Sequence, residues 1–222
     1  MRNALIVFGG WDGHHPREVT EVFRDVLSRD GFTVQTSESL ETLADGQRLL
    51  ALDLIVPVWT GGNITGEQVR GVSQAVQSGV GIAGCHGGMC DAFRNGDWQF
   101  ITGGQFVSHP GGGRISYTVR ITDKKHPITQ DIQDFQVVSE QYYMHVDPAI
   151  KILADTRVPA PGADGPHSPN GPVDMPVAWT KLWGKGRVFY SSVGHDAKVV
   201  AQEPHITLMR RGFLWAARPE GK

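Results

Sequence analysis

In "LDLIVPVW", from Leu52 to Trp59, every residue after Asp53 is apolar. A strand with one wet face would alternate polar and apolar residues, so a short, uniformly apolar run predicts a strand covered on both faces. That requirement implies helices on both sides of a parallel sheet. "NALIVFGG" and "VGIAG" have the same character, and "FTVQT" adds a further strand. Between them, "PREVTEVFRDVLSRDGF" sets Val19, Val22, Phe23, Val26 and Leu27 at helical spacing, with Pro16 in the first turn and Gly31 at the stop. "TGEQVRGVSQAVQSG" predicts a second helix, capped by Thr65 and ended by Gly79. The resulting strand–helix alternation predicts an α/β fold, a mainly parallel sheet between two helical layers.

The second half is less regular. "RISYTVRIT", "FQVVSEQYYM", "AIKILADT" and "PVAWTKLWGKGRVFYSSV" read as strands, the last with a Gly-containing hairpin turn, and "EPHITLMRRGFLWAAR" as a closing amphipathic helix. Residues Arg157 to Asp174 carry too much Pro and Gly for a regular element and read as a long loop, a candidate lid or protomer contact. With 222 residues, 40% of them hydrophobic, and no evident linker, the chain is expected to be one domain, 1–222.

A net charge of −2 with dispersed Lys and Arg argues against a nucleic-acid or membrane-surface partner. The only early apolar run, Ala4 to Phe8, is too short for a signal or membrane segment. Cys85 and Cys90 fit neither a CxxC motif nor a zinc knuckle, so a reduced, cytoplasmic protein is expected.

Open α/β sheets bind ligands at the carboxyl ends of their strands. The polar residues expected there are Trp11, Asp12, His14 and His15; Trp59, Thr60 and Asn63; Cys85 and His86; Glu140, Tyr142 and His145; and His195 and Asp196. This clustering of histidines is the main functional signal. No HxH or HExxH spacing occurs, so a divalent metal such as zinc would need ligands from distant strand ends.

"GWDGHHP", "GCHGGMCDAF", "GGQFVSHPGG", "HPIT", "SEQYY", "MPVAWT" and "GKGRVFYSSVGHD" follow one another in an order that resembles the trehalose-utilisation (ThuA-like) family of the class I glutamine amidotransferase-like superfamily. The resemblance implies a flavodoxin-like α/β/α sandwich and a role in using trehalose, a related disaccharide or a keto-sugar. It favours His86 over Cys85 at the elbow and aligns His195 with the amidotransferase histidine. The triad glutamate two residues beyond that histidine is here Ala197, which argues against a Cys–His–Glu triad.

The candidates for proton transfer are therefore His86, Glu140, His195 and Asp196, with Glu140 expected to have a raised pKa beside Tyr142 and Tyr143. Trp11, His14, His15, Trp59, His109 and Tyr142 are candidates for sugar contact, and Trp98 is a further ring platform. Cys85 and Cys90 read as buried packing residues, and His167 and His205 as surface residues. A sugar is the expected partner, with self-association through the Pro/Gly-rich loop also in view. Two rival readings stand beside a sugar-processing enzyme: a non-catalytic sugar-binding or scaffold protein, and an amidohydrolase using Cys85 with His195.

Overall fold

A computed structural model describes residues 2–219. β1 (Arg2–Gly10), α1 (Pro16–Arg29), β2 (Phe32–Ser37), α2 (Gly46–Leu50), β3 (Leu54–Thr60), α3 (Gly66–Ser78) and β4 (Gly81–Cys85) make up the alternating first half. α4 (Gly87–Cys90), α5 (Gly96–Thr102), β5 (Gly104–Ser108), β6 (Ile115–Ile121), β7 (Phe135–Ser139), β8 (Tyr143–Val146) and β9 (Lys151–Val158) follow. β10 (Val173–Trp183) and β11 (Gly186–Ser191) form the expected hairpin, and α6 (Ala197–Val200) and α7 (His205–Ala216) close the fold.

Nine strands build one sheet in the order β2-β1-β3-β4-β11-β10-β9-β6-β7, and β5 pairs with β8 in a separate ribbon. The first five strands of that order are parallel, the flavodoxin-like arrangement. The remaining four extend it by antiparallel pairing.

Double coverage of the strands is visible residue by residue. Along β1, Ala4, Ile6 and Phe8 join the core under α1 and α7, while Leu5 and Val7 join the core under α2, α3 and α5. Phe23 of α1 meets Phe213 of α7 edge to face, ring centres 4.9 Å apart. Full burial of each such side chain contributes about 1.5–3 kcal/mol. Thr65 and Gln68 form a reciprocal capping box at the start of α3, satisfying backbone donors that the first turn leaves open.

Two elements differ from the sequence expectation. "FQVVSEQYYM" is not one strand: it breaks at Glu140–Tyr142, where Gln141 turns inward to bond Thr156 Oγ1 and the Ala160 amide (2.9 and 2.8 Å). The 157–174 loop is shorter than its composition suggests, because Val173 and Asp174 pair with Val158 and Arg157.

Three side chains are more buried than expected. Trp98 is no ring platform; it is buried beneath the elbow, its indole N–H donating to the Met89 carbonyl (2.9 Å). His205 is not at the surface but packed under β11 against the Ser191 hydroxyl (3.2 Å). His167 is buried beside the ring of Tyr143.

Candidate functional site

Four chain segments deliver one side chain each to the carboxyl end of the parallel strands. After β1, a single 3-10 turn (Asp12–His14) brings His14 inward, and the chain reverses at His15 with φ of 50°. After β4, His86 sits at the tip of the elbow with φ 51° and ψ −142°, a conformation costly for a residue with a Cβ. The Ser191 carbonyl accepts the His86 amide (2.7 Å), and the Tyr190 hydroxyl donates to the His86 carbonyl (3.0 Å), which holds that geometry. Gly87 must lack a side chain, because a Cβ there would lie 2.6 Å from the His14 ring. His195 follows β11, and Gly194 before it passes over Cys85, where a Cβ would meet Sγ at 2.8 Å.

The fourth group is Glu140. The antiparallel extension curls so that the residue after β7 reaches the tip of β4, where Tyr117 donates its hydroxyl to the Glu140 carbonyl (3.0 Å). Its carboxylate stands 3.0 Å from His86 Nε2, 3.6 Å from His14 Nε2 and 3.4 Å from His195 Nδ1. The four donor atoms all lie within 4.8 Å of one another.

Two of the imidazoles are oriented from behind. Nδ1 of His86 is 2.8 Å from the Ser192 carbonyl, and Nδ1 of His14 is 2.9 Å from Thr60 Oγ1. A carbonyl only accepts, so His86 carries its hydrogen on Nδ1. Burial, opposed by the Glu140 contact, pushes His86 down to about 4, so the ring is neutral near pH 7. For Glu140 the expectation of a raised pKa is overturned. Burial does push it up, but the facing imidazoles of His14, His195 and His86 outweigh burial and hold the carboxyl far below its usual range. His195 is raised, chiefly by its contact with Glu140.

Around this cluster the expected contact residues divide. Trp11 is 56% exposed, and its ring meets His14 edge-on at 4.7 Å. His109 reaches to 3.9 Å from Glu140 and stacks on Phe106. Tyr142 is buried and stacked on His86 at 4.0 Å, so it backs the imidazole rather than facing solvent. Trp59 is half-buried, its indole N–H tied to the Gly61 carbonyl (2.9 Å). His15 turns outward toward Glu18. Asp196 serves as the N-cap of α6, accepting the Val199 amide at 2.9 Å, and its charge helps raise His195.

Asp91 escaped the sequence reading. α4 is a single turn, so the chain returns Asp91 to the cleft, with its carbonyl accepting the Gly61 amide (2.9 Å) beside Thr60. Its half-buried carboxyl is raised, mainly by burial, against the opposing charge of Arg94 3.9 Å away, and also feels His14, Glu140 and His109. The usable signal was the tight "HGG" turn, which limits how far "CDAF" can travel from His86. Cys85 is buried, and burial pushes its thiol up to about 12, the opposite of what a thiolate nucleophile requires.

The sequence profile of the ThuA family, described as trehalose utilisation, matches residues 3–216. No curated protein sequence matches the chain. Among solved structures, a ThuA-like protein from Bacteroides uniformis superposes with TM-score 0.75 at 19% identity, covering 97% of this chain and 91% of that one. A ThuA-like protein from Parabacteroides merdae gives the same TM-score of 0.75 and 19% identity, with 97% and 89% covered. A β-galactosidase from Rahnella sp. R3 matches at TM-score 0.61 and 16% identity, over 97% of this chain but 30% of its own. At these identities the likenesses speak to the fold.

Proposed function

The chain belongs to the trehalose-utilisation (ThuA) family, and on that premise we propose an enzyme of carbohydrate utilisation acting on a disaccharide or keto-sugar, with His14, His86, Glu140 and His195 as a divalent-cation centre. One observation carries this reading: with Nδ1 of His86 committed to the Ser192 carbonyl, its Nε2 faces the Glu140 carboxylate at 3.0 Å, and the four donor atoms converge within 4.8 Å of one another. Two electron-rich atoms at that distance repel unless something positive lies between them. A proton would relieve one pair; a cation relieves all four groups at once. The 3.0 and 3.6 Å spacings about Glu140 Oε2 bracket the roughly 3.3 Å edge expected of ligands about 2.0–2.1 Å from a tetrahedral ion, and His195 approaches Oε1 at 3.4 Å. Ser192 and Thr60 would fix the ligand tautomers.

A bound cation would supply Lewis acidity toward a hydroxyl or carbonyl oxygen of the sugar. The proton-transfer role expected of His86, Glu140 and His195 thus gives way to holding the ion, and Asp91 at the cleft moves the proton. Trp11 offers an exposed ring face to a pyranose, and His109 a hydrogen bond to a hydroxyl. The test combines metal analysis after dialysis against Zn2+ or Mn2+ with turnover of a panel of disaccharides and their 3-keto derivatives. One bound ion per chain and turnover abolished in His86→Ala are expected. Absence of both a bound ion and any turnover would sink the reading, whereas sugar-induced thermal stabilisation without product would favour the binding-protein alternative.

A further inference from the structure

A hollow of about 610 Å³ lies at the amino ends of the parallel strands, away from the histidine cluster. Lys185, Arg187 and Arg218 line it, and no lining residue among those described is acidic. Both guanidinium groups are held from behind, and Lys185 by its backbone. Arg187 lies over the Trp215 ring at 5.4 Å and donates Nη1 to the Trp215 carbonyl (3.0 Å). Arg218 is pinned by its amide to the Asp53 carbonyl (2.9 Å) and donates Nη2 to the Leu50 carbonyl (3.2 Å). The Lys185 amide bonds the Gln77 carbonyl at 3.0 Å. A guanidinium has five N–H donors, and the bonds named engage one in each arginine. Gly79 lies between Lys185 and Arg218 on the lining.

We infer that this hollow binds a phosphate group borne by a small organic metabolite, with Arg187, Arg218 and Lys185 as its partners. Two half-buried arginines held in a concave wall match a compact dianion, because planar guanidinium forks fit phosphate oxygens. A nucleic-acid backbone would need a longer stripe of cations, and the chain carries a net charge of −2. The hollow exceeds what a phosphate alone fills, and Leu50, 37% exposed, with Pro219 gives the organic remainder an apolar wall.

Calorimetric titration with inorganic phosphate, glucose 6-phosphate and glucose, in EDTA at constant ionic strength, tests this. Both phosphates should bind and glucose should not, with glucose 6-phosphate the tighter. Arg187→Gln with Arg218→Gln should weaken binding at least tenfold, and Glu140→Gln should leave it unchanged. Should the double variant misfold, Lys185→Gln on its exposed turn should still weaken binding severalfold. Equal binding by wild type and these variants, or loss in Glu140→Gln, overturns the site. Glucose 6-phosphate binding no tighter than inorganic phosphate overturns the organic part. Tighter binding to phosphatidylinositol phosphate vesicles than to glucose 6-phosphate also overturns it, in favour of a membrane.

Discussion

The two ends of the parallel strands are served by the same helices yet collect opposite charge. α7 starts beside Ser191, under the carboxyl end of β11, and finishes at Trp215, whose carbonyl Arg187 engages near the start of that strand. α3 likewise leaves the end of β3 and stops at Gly79. Parallel topology thus aims helix amino termini at one end and carboxyl termini at the other, so a carboxylate side chain is favoured at the first and guanidinium and ammonium side chains at the second. The difference teaches where chemistry can accumulate. At the carboxyl end, segments after β1, β4, β7 and β11 each contribute one converging group. At the amino end the cations complement helix ends and face a wider, open hollow.

Four experiments break or sharpen that contrast. Phe213→Ala should be the harshest, costing about 3–5 kcal/mol, because Phe213 packs fully buried on Phe23 in the helix serving both ends. Chemical denaturation reads it, and cation and phosphate binding should fail together if the ends share one core. Glu140→Gln should weaken Zn2+ binding by about 100-fold or more with little loss of fold, touching only the carboxyl end. An unchanged Zn2+ isotherm would remove Glu140 from the centre.

A smaller effect concerns pH. Burial lowers His205 to about 4 from 6.5. The unfolded chain therefore takes up the proton first, and His205 costs stability as pH falls from about 6.5 toward 4. Urea midpoints in EDTA should decline over that window, and His205→Gln should flatten the decline; an equally steep variant would refute the assignment. Least of all, Thr65→Ala removes half of the α3 capping box and should cost about 1 kcal/mol. Thermal melts read that loss, and phosphate binding at the far end of the helix should stay as it was.

Much of the fold was legible in the sequence because the parallel strands are covered on both faces and their helices carry clean periodicity. The histidines at 14, 86 and 195 could be picked out as strand-end residues, since strand ends are readable wherever apolar runs stop. Glu140 was located, but not its titration: its environment depends on three imidazoles 54 or more positions away in sequence, which no local pattern encodes. Trp98 looks exposed because polar neighbours surround it in sequence, while it is buried edge-on against Phe93 with its indole N–H donated to the Met89 carbonyl. His205 follows a proline at a helix start, a setting that looks exposed until β11 is laid over it.

The curl that carries Glu140 from beyond the outermost strand has a consequence for synthesis. The last of the four groups is His195, so a ribosome must pass that position, well beyond Glu140, before they can meet. A nascent or clipped chain lacking the late hairpin and its following turn would hold an incomplete set. Assembly of the cluster is thereby tied to the late hairpin.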